Sequence, residues 1–168
     1  MIGGRKHNAT GRSISKPADR RYGEWNRPPK GESWTWFTEK MLSSPAMAVL
    51  SRAAEKVLRR LVIEHCMHAG TENGGLKTTY SDFEKFGVRP NSIRGALDEL
   101  EAVGLIETMV RGGRPGIDLK IPSQYRLTWL PSRIPELQPP TDEWAQIETI
   151  KEAKRRIAAR KLSKRRNG

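Results

Sequence analysis

Residues 79–106, TYSDFEKFGVRPNSIRGALDELEAVGLI, hold two helical patterns separated by a glycine. The first covers about Tyr80 to Phe86. Thr79 and Asp82 are spaced for a capping arrangement, and Tyr80, Phe83 and Phe86 are expected to face inward. Gly87 ends this helix, Val88 packs in the turn, and Pro90 or Asn91 opens a second helix that runs to about Val103. Ile93, Ala96, Leu97, Leu100 and Val103 recur at spacings of three and four and form its buried face. Gly104 stands where a left-handed cap is wanted.

Working outward, Leu105–Arg111 and Gln124–Leu130 flank a glycine-rich tip, Gly112–Gly116, and predict a hairpin with a loose middle. Upstream, Ser44 to about Gly70 reads as helix with an interruption near Ser51. Leu50, Ala54, Val57, Leu58, Leu61, Val62 and His65 or Cys66 form its stripe, and Pro45 suits a first helical turn. Residues 74–79 predict a turn followed by a very short extended piece. The expected order is helix, short strand, helix, tight turn, helix, strand, loop, strand: a mainly α fold with a small β-hairpin.

The chain has 168 residues, a net charge of +12 and one cysteine, Cys66. Hydrophobic residues are 36%, low for a chain that is globular throughout, so part of the length is expected to lie outside the core. Residues 1–33, 34–130, 131–150 and 151–168 carry +5, +2, −3 and +8. A nearly neutral middle with basic ends is the pattern of a folded module with cationic arms, which favours polyanionic partners. The expected parts are a disordered basic arm over 1–33, a folded domain over 34–130, a proline-rich linker over 131–141, and an amphipathic-to-basic helix and tail over 142–168. Trp144, Ile147, Ile150 and Ile157 make the stripe of that last helix, which is expected to fray beyond Ala153. No apolar run is long enough to span a bilayer and the first thirty residues lack an apolar core, so a cytoplasmic, nucleoid-associated protein is expected.

The phrase Gly95–Ile106 resembles the recognition helix and first wing strand of many bacterial regulators of the winged helix-turn-helix superfamily. Thr79–Phe83 with Gly87–Val88 is similar to their first motif helix and turn, and the resemblance covers about Ser44 to Leu130. Trp34 to Leu50 also resembles winged-helix domains of plasmid and phage replication proteins. The resemblance implies double-stranded DNA as partner, with the start of the helix over 90–103 in the major groove and a wing over 111–119.

On that reading Asn91 and Arg94 are the base-reading candidates, because Asn pairs bidentately with adenine and Arg with guanine. Arg89 precedes the helix, Ser92 suits a phosphate oxygen, Gly95 leaves the helix free to approach, and Asp98 is expected to orient Arg94 one turn earlier. Arg111 and Arg114 flank the wing tip. Arg155, Arg156, Arg160, Lys161, Lys164, Arg165 and Arg166 are expected to add salt-sensitive attraction. The competing readings are an ordinary solvated helix face, a plain hairpin loop and a solubilising tail. Trp34, Trp36 and Phe37 read as an apolar strap beside the first helix rather than a base-stacking platform.

His65, Cys66 and His68 do not share one helical face, and no second Cys or His pair completes a metal set. No phosphate loop, nucleophile elbow or metalloprotease pattern is present, so no enzyme, cofactor, metal or small-molecule ligand is expected, and no membrane partner. The leading expectation is a sequence-specific transcriptional regulator, with a homodimer as one possible form. The alternatives are a protein of plasmid or phage replication and maintenance that binds origin repeats, and a basic RNA- or ribosome-associated protein.

Overall fold

Ser51 interrupts the long upstream pattern because its backbone stays extended (φ −72°, ψ 156°) while its hydroxyl accepts the Ala54 amide at 3.2 Å. The computed structural model describes residues 28–113 and 121–166, with side chains in the last helix as far as Ser163. Before this break lie α1 (Glu39–Leu42) and α2 (Pro45–Ala48); after it runs α3 (Arg52–Met67). Ser44 caps α2 from its side chain, and Pro45 takes the first position, where a missing N–H leaves nothing unpaired. The expected arm falls, from residue 1 to 27, outside the described residues.

Next come β1 (Leu76–Thr78), α4 (Tyr80–Lys85), α5 (Pro90–Ala102), β2 (Ile106–Val110) and β3 (Ser123–Leu127). The strands form one antiparallel sheet in the order β1–β3–β2. The protein is therefore a small mixed α/β fold, and the short extended piece expected over 74–79 joins the hairpin as a third strand. Three residues at 76–78 suffice for a third strand because Leu76 and Thr78 point into the core and pair with Tyr125 and Ser123. A bridge between Gly113 and Ile121 continues the β2–β3 ladder towards the tip.

The core lies where α3 and α5 cross the sheet. Val57 and Leu61 of α3, Ile93 and Leu100 of α5, and Leu76, Tyr125 and Leu127 of the sheet are completely or almost completely buried. Phe83 of α4 closes one end, its ring meeting Tyr125 edge-on with centroids 6.3 Å apart. Tyr80, expected to face inward with it, is exposed instead, and Phe86 is half-buried. Phe83 is the one buried residue of this short helix, and Tyr80 lines the cleft beside α5 instead. Trp34 and Trp36 are likewise exposed, so the strap reduces to Phe37, which stacks on Trp129 at 5.2 Å.

Residues 131–141 are not a free linker. Ser132 is fully buried, its hydroxyl donating to Asn73 O at 2.7 Å, and its backbone pairs with Gln138. Ile134 lies against Gly74 and Gly75, at positions a Cβ on either glycine would occupy. The prolines prevent a regular element, yet the backbone still finds partners on the core.

The helix expected from residue 142 begins as a 3-10 turn over Glu143–Gln146, and α6 starts only at Ile150 and runs to Arg166. Asp142 stands at the N-cap of this turn without a side-chain capping bond: it is left-handed (φ 46°), and its carboxylate accepts from Trp144 Nε1 at 3.0 Å. The break at 147–149 resets the helical phase. Trp144 and Ile147 are buried as expected, but Ile150 is 51% exposed, and Ala153 with Ile157 makes the packed face of α6. Fraying beyond Ala153 does not occur, because the helix is laid along α5 and held there by ion pairs.

Candidate nucleic-acid interface

Two glycines and two caps set the position of α5. Thr79 and Asp82 form a reciprocal capping box: the Thr79 hydroxyl accepts Asp82 N at 3.2 Å, and the Asp82 carboxylate accepts Thr79 N at 2.9 Å and its hydroxyl at 2.6 Å. These bonds hold the Asp82 carboxyl below the usual carboxylate range. The turn at Gly87–Arg89 then delivers Pro90 to the first position of α5, with Arg89 as an N-cap that makes no side-chain capping bond. At the far end Gly104 adopts φ 69°, and a Cβ there would sit 2.7 Å from that of Glu143.

The first two turns of α5 carry the residues expected to read bases. Arg89, Asn91 and Arg94 are exposed and Ser92 is half-buried. The space above Gly95 is empty to 4 Å around the position of a Cβ. Ile93, Ala96, Leu97 and Leu100 hold the opposite face in the core, so the outward set is fixed by packing.

Beside this helix lies a cleft of about 340 Å³ between α5, the start of α4 and the β2–β3 ladder. Arg94 lines one side and Arg111, at the end of β2, the other. Thr79, Thr108 and Ser123 contribute hydroxyls, and Tyr125 forms part of the lining, burial pushing its phenol up so that it stays neutral. Gly112 donates its N–H to Ser123 Oγ at 2.9 Å, and a Cβ there would lie 2.5 Å from Ile121 O, so only glycine lets the strands close. Arg114 and residues to 120 lie outside the described residues.

Asp98, expected to orient Arg94, also lies against α6. It is nearly buried on the cleft wall, with Oδ1 3.9 Å from Arg160 Nε. Glu101, in the same wall, is ion-paired with Arg160 Nη2. Lys161 bonds Glu99 Oε1 at 3.1 Å, and Glu99 Oε2 accepts the Ser51 amide at 3.2 Å. Arg156 is held by Glu152 at 2.7 Å, which keeps the Glu152 carboxyl below its usual range, and Arg155 is exposed. Lys164, Arg165 and Arg166 belong to the last turn of α6, where side chains lie outside the described residues.

The sequence reading thus found the exposed helix face but missed Tyr80, Thr108 and Ser123 as cleft residues, and took Arg156, Arg160 and Lys161 for free cations. Arg160 and Glu101 are 59 residues apart, and no local spacing signals their pairing.

His65 is buried and its imidazole is held below the ordinary value by desolvation, while His68 turns to Glu64 at 3.2 Å. Burial pushes the Cys66 thiol up. Among the described residues no group of three His, Cys, Asp or Glu side chains is placed to hold a metal, and no helix is long and apolar enough to cross a membrane. Compared with models of known protein families, with characterised proteins and with solved structures, the chain matches none.

Proposed function

We propose that this chain is a winged helix-turn-helix protein that binds double-stranded DNA sequence-specifically and regulates transcription by occupying its site. The observation that carries the reading is the start of α5, where Arg89, Asn91 and Arg94 stand exposed around a glycine with open space above it. Asn91 and Arg94 read base edges in the major groove. Arg111 contacts the phosphate backbone from the cleft's other side, which Ser123 also lines. The order α3–β1–α4–α5–β2–β3, with β3 central in the sheet, supports the same reading, since it puts two helices and a tight turn ahead of a hairpin.

The test is selection from a randomised duplex pool, followed by competition binding with wild type and Arg94→Ala. An enriched motif whose discrimination falls by about 1–3 kcal/mol at one base pair in the variant is the expected result. Equal, salt-sensitive binding of all sequences by both proteins overturns specific reading.

A further inference from the structure

A helix that reads DNA is a poor place for carboxylates, yet α5 carries Asp98, Glu99 and Glu101 within two turns of Arg94. Asp98 and Glu101 line the same cleft as Arg94 and Arg111, where the proposed backbone contact lies. Left uncompensated, they stand within a Debye length, about 10 Å at 0.1 M salt, of the phosphates.

Helix α6 covers them. Its chain passes Gly104, where Glu143 and Trp144 pack, and by Arg160 and Lys161 it has reached Asp98 and Glu99. It therefore runs antiparallel to α5, from the end of that helix towards its start. Ala153 and Ile157 anchor it in the core. The side chains of Asp98 and Glu101 are only 12% and 11% exposed beneath Arg160, which is itself 31% exposed.

We propose that Arg160 is a positioning residue of the DNA site: it cancels the charge of Glu101 and Asp98 in the cleft wall, so that the phosphate backbone can pass between Arg94 and Arg111. It acts through those carboxylates and not as a phosphate ligand of its own. The inference rests on the DNA-binding reading and adds α6 to the binding surface, as a rigid neutralising element instead of a loose cationic tail. The geometry favours this, because Arg160 lies over both carboxylates, is itself only 31% exposed, and is ion-paired with Glu101.

The experiment is fluorescence anisotropy of the full chain with a short random-sequence duplex, at several salt concentrations. The proteins compared are wild type, Arg160→Gln, Arg160→Lys, Glu101→Gln and the double variant Arg160→Gln/Glu101→Gln. Arg160→Gln keeps most of the stem packing, and thermal unfolding of each variant verifies folding. Arg160→Gln is expected to weaken binding about tenfold at 0.1 M salt, a screened like-charge effect. Arg160→Lys restores it, Glu101→Gln alone does not weaken it, and the double variant returns most of the loss. A loss that persists in the double variant overturns the proposal, since Arg160 would then be contacting phosphate directly. Undiminished binding by Arg160→Gln overturns it as well. Wild type that fails to bind any duplex removes the DNA reading itself, and this inference with it.

Discussion

Asn73 pairs with Leu127 as a neighbouring strand would: its Oδ1 accepts the Leu127 amide at 2.8 Å and its Nδ2 donates to the Leu127 carbonyl at 2.9 Å. The same Nδ2 reaches Leu130 O and Pro131 O, so one buried amide satisfies the end of β3 and the chain leaving it. Asn73→Ala orphans several buried backbone groups at once, each costing about 1–3 kcal/mol. A loss of about 2–4 kcal/mol in urea unfolding is expected, and a loss below about 1 kcal/mol would show that the end of β3 is satisfied some other way.

Gly95 offers a test in which stability and binding move in opposite directions. It sits in a regular helix with open space above it, so Gly95→Ala is expected to stabilise the fold by about 0.5–1 kcal/mol. Gly95→Leu is expected to fold equally well yet lose DNA affinity by an order of magnitude, because the side chain holds the helix off the groove. Duplex binding unchanged by leucine would move the interface away from this face.

The capping box makes the motif helices acid-sensitive. The Asp82 carboxyl sits below its ordinary value because Thr79 bonds the charged form. Its contribution is complete above the unfolded value, about 3.9, and is lost as pH falls through the lower, folded one. Asp82→Ala is expected to lower stability by about 1 kcal/mol at neutral pH. Wild type and variant should converge in melts taken at decreasing pH; a gap that stays constant would deny the carboxylate this role.

His65 acts over a different range. Burial lowers its basicity, and its Nδ1 has no hydrogen-bond partner, so the folded state prefers the neutral ring. The unfolded chain takes up the proton first, so stability is full above about pH 6.5 and declines as pH falls below it. His65→Met is expected to flatten Tm between about pH 7 and pH 5 relative to wild type. An identical slope in both proteins would assign the pH dependence to other groups.

Much of the architecture was written in local spacing. Ser44, Pro45, Ser51, Thr79, Gly87, Pro90 and Gly104 mark element boundaries by the chemistry of caps and turns, and they act within four residues of themselves. The apolar set from Ile93 to Val103 gave the buried face of α5 for the same reason. What escaped notice depends on contacts across long stretches of chain. Thr78 pairing with Ser123, Ser132 reaching Asn73, and Arg160 reaching Glu101 have no periodic signature. Composition misled as well: four prolines between 131 and 141 suggested a spacer where the backbone is pinned, and a run of lysine and arginine suggested a frayed tail where two of the cations are bonded to α5.

The two ion pairs between α5 and α6 also bear on how this sequence can change over generations. Glu99 with Lys161 and Glu101 with Arg160 tie together stretches of gene about 60 codons apart. Reversing Glu101 alone would set two cations face to face on a helix whose other side is locked in the core, whereas a matched reversal at Arg160 would restore attraction; Glu99 has no such exchange, because its carboxylate also accepts the Ser51 amide. Charge at Glu101 and Arg160 is therefore constrained jointly, Glu99 is held by Ser51 as well as by Lys161, and the acidic flank of α5 can change only as fast as α6 can follow it.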